Sequence, residues 1–488
     1  MAGRGRRGPR LAGLVALACV GLLGLVNPAV ATAALNVFRD LNLPGLAASD
    51  NESFGEPPDP TGAVSRDHYI EVVNARIAVF ERDTLRRVAE RDATAFWDAR
   101  PAAVMDPQIA WDDRARRWYY AMLRSGGAKP NVLLFAWTKT SDPTDLEQGW
   151  CKLEIRSGRG LVDDFPKLGF SRQHVLIGTN VGRQGRVVFS RIWAIGKPRA
   201  VAGGCDRPPV RSFGSARRKL RDATGRQAGT PVPAVPVGNS HRGYVVAAAC
   251  VEDPVSDPSE EEEEPACARA GKLLTVWHVT GPRGHPRLVR GGGIRVRRFR
   301  LPRATPQRGT GRLLDTSDTR LTQAVSSRDP RPGERRLIWT QHTVAGPRHG
   351  SEARWYALDP RRLAVVERGS IRKRGRWIFN AAISPTTRGD AAIINYNVAG
   401  SKLLPQLRAR VAGRPNSEIL LARSAAPHKV CEPPPEDPYC RWGDYAGAVP
   451  DPLEPDVVWG SNELTGPTSQ SDAFGVHWTT RNFALTTR

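Results

Sequence analysis

Almost nothing in this chain repeats with the period of a helix, so a helical bundle is excluded as its main architecture. Long apolar runs are also missing, apart from Leu11–Val26 near the start, and no membrane span is expected beyond it. Lysine is scarce, at 10 Lys against 62 Arg, and the arginines are spread along the whole sequence. The net charge of +23 is therefore read as a compositional skew. It does not single out nucleic acid, and weak attraction to acidic polymers or cell envelopes fits it better. No Cys-x-x-Cys pair and no His pair with zinc-ligand spacing occurs, which argues against a structural zinc site.

The N-terminal stretch has three parts. Arg4, Arg6, Arg7 and Arg10 precede the apolar run, and Ala31-Thr32-Ala33 follows as a small-x-small pattern. This is the layout of an export signal over 1–33, with the mature chain starting near Ala34 and acting as a secreted, extracellular protein. Six cysteines lie beyond it: Cys151, Cys205, Cys250, Cys267, Cys431 and Cys440. An even count in an exported chain points to disulfides. Proximity favours 151–205, 250–267 and 431–440 among the fifteen pairings that six cysteines allow.

Short apolar runs bounded by turn residues follow one another about every 8–12 positions, the pattern of an all-β chain. One unit recurs: an Asp or other polar residue, often beside Pro, a short apolar strand, a polar turn and a stronger apolar strand. It is seen at Asp59–Val64 with Tyr69–Asn74, at Asp106–Trp111 with Arg117–Met122, and at Asp164–Phe170 with His174–Asn180. It returns weakly at Thr230–Val235 with Gly243–Ala248, then at Asp318–Val325 with Arg336–His342, Phe379–Ile383 with Ala391–Asn397, and Trp442–Val449 with Asp456–Asn462. A third apolar run follows most copies. A repeat of roughly 50–70 residues carrying four strands is a propeller blade. Residues 34–488 are thus predicted to form a single β-propeller of seven blades, or six if the weak fourth unit is an insertion. Leu35–Leu41 is predicted to supply the missing strand of the last blade. Two stretches, about 199–226 and 253–265, read as surface insertions, the second with its acidic run Glu260–Glu264 being a solvated loop.

Blade geometry puts the start of the first strand and the end of the second on one face. That face gathers Asp59, Asn74, Asp106, Arg124, Asp164, Asn180, Asp318, His342, Asn380, Asn397, Asp444, Asn462 and Glu463. Three uses remain open. The Asp and Asn side chains can cap turns and strand starts. They can bind a ligand, calcium included, because hard oxygen atoms converge, although no metal ligand set can be specified and no other cofactor is expected. Or Glu463 with Asp59 or Asp444 can act as a hydrolytic acid and base. Tyr445, with Trp442 and Trp459, either fills blade core or stacks on a sugar.

Several segments resemble a family of secreted bacterial propellers, the sialidase-like proteins of the BNR-repeat group. They are Pro57–Val64 with Tyr69–Asn74, Asp106-Pro107 with Arg117-Trp118, Asp164–Leu168, Arg354–Tyr356, and Trp442–Tyr445 with Trp459–Glu463. The Asp-box of true sialidases is nowhere intact, and Ser327-x-Asp329 with Gly333 and Trp339 is a degenerate echo of it. The resemblance implies the fold. It transfers neither an arginine triad nor a tyrosine–glutamate pair onto particular residues. The expected function is a monomeric module that binds glycan, envelope or protein at the channel mouth, with a glycoside hydrolase of sialidase type as the alternative.

Overall fold

Strands whose two faces are both covered need no polar alternation, and the central strands of this chain have none. Val132–Thr138, with sequence VLLFAWT, is buried at every position, as is Ser351–Asp359. The computed structural model describes residues 34–51, 55–100, 102–126, 131–183, 186–201, 204–248, 270–333, 335–429, 439–470, 475 and 477–488. It arranges them as seven antiparallel sheets whose innermost strands touch in succession around a closed ring, a seven-bladed β-propeller.

Blade one comprises Thr61–Val64, His68–Val73, Arg76–Glu81 and Arg87–Asp92, from the axis outward. Blade two has Ala103–Asp112, Arg117–Ser125, Val132–Thr138 and Trp150–Arg156. Blade three has Val162–Phe170, His174–Arg183, Arg186–Gly196 and Val210–Phe213. The stretch 199–226, read from sequence as a surface insertion, thus contains an outer strand. It also holds Cys205, which is joined to Cys151 as expected.

Blade four explains the weak fourth repeat. Its inner strand is only Val232–Pro233, paired to Gly243–Ala248, with Ala270–Thr280 and Arg287–Arg300 outside. Two residues later the chain crosses over, and Val235–Pro236 pairs in parallel with the inner strand of blade five. Prolines lack the N–H that a central ladder needs, so this inner strand is short and shared. Blade five continues with Gln323–Arg328, Arg336–Ala345, Ser351–Asp359 and Ala364–Ile371. In its first hairpin the Trp339 indole donates to Ser327 Oγ and Asp329 accepts the Arg331 N–H, so the degenerate Asp-box residues brace a turn.

Blade six is Trp377–Pro385, Ala392–Gly400, Leu403–Val411 and Ile419–Arg423. Blade seven is Gly447–Pro450, Val457–Thr465 and Trp478–Thr486, and its outer strand is Asn36–Ala47 from the other end of the chain. The expected latch is therefore present. Large aromatic side chains fill the seams between blades: Trp118 and Tyr120 between one and two, Trp277 between three and four, and Trp459 stacked on Tyr69 at 5.2 Å between seven and one. The acidic run 253–265, Cys250, Cys267 and Cys431 lie outside the described residues. Cys440 is disulfide-bonded.

The seam between blades one and seven is tied by a buried carboxylate. Glu71 Oε2 accepts the Leu46 N–H at 3.1 Å and the Asn482 amide at 2.7 Å, and Oε1 accepts the Ser461 hydroxyl at 3.1 Å. Gly45 lets the latch strand lie directly over it, because a Cβ there would collide with Glu71 Oε2 and Thr480 Oγ1. Glu71→Ala strands three buried donors and is expected to cost on the order of 3 kcal/mol. Urea denaturation checks this, and an unchanged midpoint would show that the seam does not depend on the carboxylate.

Candidate functional site

The inner strands begin with a shared backbone device. Asp59 (φ 52°), Asp106 (φ 61°), Phe165 (φ 54°) and Asn380 (φ 42°) all sit in the left-handed region at the channel end of their blades. In blades two, three and six the residue lies in a bulge, with the ladder shifting between Met105 and Gln108, Asp164 and Lys167, and Phe379 and Ala382. Asp and Asn tolerate this conformation better than other side chains. At Asp59, Asp106 and Phe165 the next residue is proline, which turns its predecessor away from the right-handed helical region and offers no N–H to be left unpaired.

The turned-in side chains bond across blades. Asp59 Oδ1 accepts the Asp444 N–H at 2.6 Å, which joins blade one to the segment leading into blade seven. Asn74 donates to Pro57 O at 2.7 Å and to Asp59 Oδ2 at 2.8 Å, and its Oδ1 accepts the Asp106 N–H at 2.7 Å. Asp106 Oδ2 in turn accepts the Phe165 N–H at 3.0 Å. A chain of carboxylate and amide links thus runs round the rim from blade seven to blade three.

This arrangement gathers Asp59, Asp106, Asp164, Asp444 and Tyr445 at one mouth, where the four carboxylates feel one another's charge. Asp318 joins them through Arg320, whose N–H and guanidinium both meet its carboxylate. Burial and then Asp444 and Asp106 push the Asp59 carboxyl well above its usual range. Burial, Asp164 and Asp444 raise Asp106 to about 7. Glu463 Oε1 accepts the Gly443 N–H at 2.6 Å, while its other oxygen has no hydrogen-bond partner, and burial holds it well above the usual range. A Cβ on Gly443 would come within 2.7 Å of that carboxyl.

The remaining sequence-selected residues are brought elsewhere. Arg124 turns to Glu154 on the outer strand of its own blade. Asn180 accepts from Thr230 at 3.0 Å. His342 bridges Thr319 O at 2.9 Å and the Tyr356 hydroxyl at 3.1 Å, and burial lowers it to about 4, so it is a neutral core histidine. Asn397 links Glu463 O to the Trp442 indole, and Asn462 links Asn380 to Asn395. Trp442 and Trp459 are buried in blade seams.

Other residues at the mouth were not among the sequence candidates. Lys167 is 1% exposed, and its Nζ has no hydrogen-bond partner. The Nζ sits 3.5 Å from the centre of the Phe165 ring and 3.3 Å from that of Tyr445. Burial lowers its pKa well below the usual lysine value, against the pull of Asp444 and Asp106. Arg320 covers the Phe165 ring at 4.0 Å. Arg441 pairs with Asp444 at 2.6 Å and lies 4.0 Å from Asp315, which burial and Asp444 raise to about 6. Near Glu463, Glu56 and His428 approach to 3.0 Å. The Asp-Phe-Pro-Lys segment held one legible signal: a lysine two residues beyond a bulge points to the same side as the bulged residue's neighbour. Arg320 and Arg441 come from loops and had none.

Among the described residues, no cluster of three or more His, Cys, Asp or Glu has the geometry to hold a metal ion, and no helix is long and apolar enough to cross a membrane.

The class this fold defines is the seven-bladed β-propeller. No family model matches the chain, and no curated protein matches it. Solved structures similar to it include a neuraminidase-like protein of the A/flat-faced bat/Peru isolate, at 6% identity and TM-score 0.31, covering 61% of this chain and 70% of that one. A hypothetical selenium-binding protein of Sulfolobus tokodaii matches at 10% identity and TM-score 0.38, covering 76% and 78%. Semaphorin 1b of Drosophila matches at 8% and 0.37, covering 93% and 87%. The fold assignment rests on the ring of sheets itself, and none of these likenesses carries an activity to this chain.

Asp106 gives a pH prediction. Its folded value, about 7, lies above the ordinary 3.8, so the folded chain binds the proton more tightly than the unfolded one. The stability this contributes is complete below about pH 4 and is lost as pH rises through 7. Asp106→Asn keeps an oxygen for the Phe165 N–H and removes the charge. It is expected to match the parent near pH 3.5 and to exceed it by about 4 kcal/mol at pH 8. Thermal melting across this range checks the sign, and parallel curves would refute it.

Proposed function

We propose that this protein is a secreted propeller that binds its ligand at the acidic channel mouth without transforming it. The observation that carries this reading is how the best-placed acids are used. Asp59 and Glu463 are 1% and 2% exposed, and each holds a backbone N–H. A hydrolytic pair needs two carboxyl groups facing one open cleft, and these two are occupied inside the rim. The groups left facing solvent are Asp164, which is exposed, and Asp315, Asp318, Arg441 and Asp444, which are half-buried. Carboxylates of this kind accept hydroxyl and ammonium donors, which suits a glycan or a basic segment of an envelope component or protein. Export is supported by the Cys151–Cys205 disulfide together with the signal-like leader.

One observation favours the hydrolytic alternative. Asp106, raised to about 7 and beside the charge of Asp164, has the proton affinity of a general acid at neutral pH.

Glycan-array binding and cleavage of a fluorogenic sialoside, measured on the same preparation, separate the two. We expect saturable binding without turnover. Asp164→Ala, open to solvent, should weaken binding about tenfold while the melting temperature holds. Turnover that Asp106→Asn abolishes would replace this reading with the hydrolase.

A further inference from the structure

The far end of the propeller, opposite the acidic mouth, carries a groove of different chemistry. Hairpin turns joining first to second and third to fourth strands lie at that end. Those of blades three, four and five enclose about 680 Å³. Arg242, Arg328, Arg336 and Arg361 line it together with His241 and Tyr244, and among the described residues no carboxylate lines it.

Elsewhere among the described residues arginines pair with acids, as Arg82 with Asp451, Arg191 with Asp163 and Arg388 with Asp456 show. The groove departs from that habit. Among the described residues no ion pair engages any of its four arginines. Arg336 is fixed at the floor by three backbone carbonyls, donating to Val237 O and Ser326 O from one nitrogen and to Asn239 O from the other. Those bonds orient the guanidinium and leave its charge unneutralised. Burial, with repulsion from Arg328, lowers the pKa of Arg336, and burial, with Arg242, lowers that of His278. Arg328 and Arg361 are exposed and Arg242 half-exposed, so they can close on a guest.

We infer that this groove is an oxyanion site, which takes a phosphate-bearing ligand between Arg242, Arg328, Arg336 and Arg361. Guanidinium groups bind phosphate oxygens in pairs, and a volume of this size holds more than a bare ion, so the guest is a phosphate ester or a stretch of phosphate-bearing polymer. The site is independent of the channel mouth and stands whether or not a ligand binds there.

The test is calorimetry with inorganic pyrophosphate on the full mature chain. Saturable binding is expected, weakened at least about tenfold in Arg242→Glu/Arg328→Glu. The control is Arg374→Glu/Arg414→Glu, an equal charge change at exposed positions outside the groove, which should leave affinity within about twofold. Should the double variant fail to melt cooperatively, Arg361→Glu, on an exposed turn, reports alone. A polyphosphate chain that displaces pyrophosphate and binds more tightly identifies a polymeric source, and one that binds no better identifies a small ester. Absent saturable binding, or equal weakening by the control pair, overturns the site.

Discussion

A ring of blades is only as stable as the place where it closes, and here closure falls inside blade seven, beside its seam with blade one. The outer strand of blade seven comes from Asn36–Ala47 and its other three strands from Gly447–Thr486. No turn joins these segments; an antiparallel backbone ladder between Asn36–Ala47 and Trp478–Thr486 does, and side chains reinforce it. Glu71 reaches from blade one to both the latch strand and the body of blade seven. The Tyr69 hydroxyl meets Gly460 O and Asn482 across the same seam, and its ring stacks on Trp459. Backbone pairing inside blade seven replaces covalent continuity between the two ends of the chain, and the polar and aromatic contacts brace the adjoining seam.

The same economy shapes the mouth. A left-handed residue at the top of an inner strand turns its side chain toward the neighbouring blade, and a following proline removes the N–H that would otherwise be orphaned. Asp and Asn suit the position, and their oxygens then find the next blade's backbone. Phe165 is the exception. A left-handed phenylalanine is strained, and such strain persists only where surroundings fix it. They do so here through the Asp106 bond to its N–H and through the cations of Lys167 and Arg320 on its ring. The most constrained residue of the rim therefore lies next to Asp164, its most open carboxylate.

What the sequence made legible follows from these constraints. Asp-Pro opens blades one and two and Asp-Phe-Pro opens blade three, so these blades could be read from it, and the latch could be read from the strand that the last repeat lacks. Proximity sufficed for Cys151–Cys205. The fourth blade was hard to read because its inner strand is two residues long and the next two belong to blade five. Lys167 was missed because a lysine inside an apolar strand is ordinarily an edge residue, and only the ring makes it central. Arg320, Arg441 and Asp315 meet at the mouth from loops remote in sequence, and no local pattern announces that. Arg124, Asn180 and His342 share the strand positions of rim residues, yet their partners lie in other strands and loops, which blade periodicity does not encode.

Charge is the last link between fold and function. The chain carries +23, yet its mouth gathers Asp59, Asp106, Asp164, Asp315, Asp318 and Asp444 against Lys167, Arg320 and Arg441. An acidic recess in a basic protein stays selective for donors and cations at short range, because the field of charges beyond about a Debye length is screened and the local field is not. The arginine-lined end lacks that local reversal, so the whole molecule's field reinforces it. Strand order alone separates the two: the bulges that hold acids sit where inner strands begin, and the arginine-rich hairpins lie where they end. The rim acids lie at one end and the arginines of blades three to five at the other, so the two proposed sites face opposite ways.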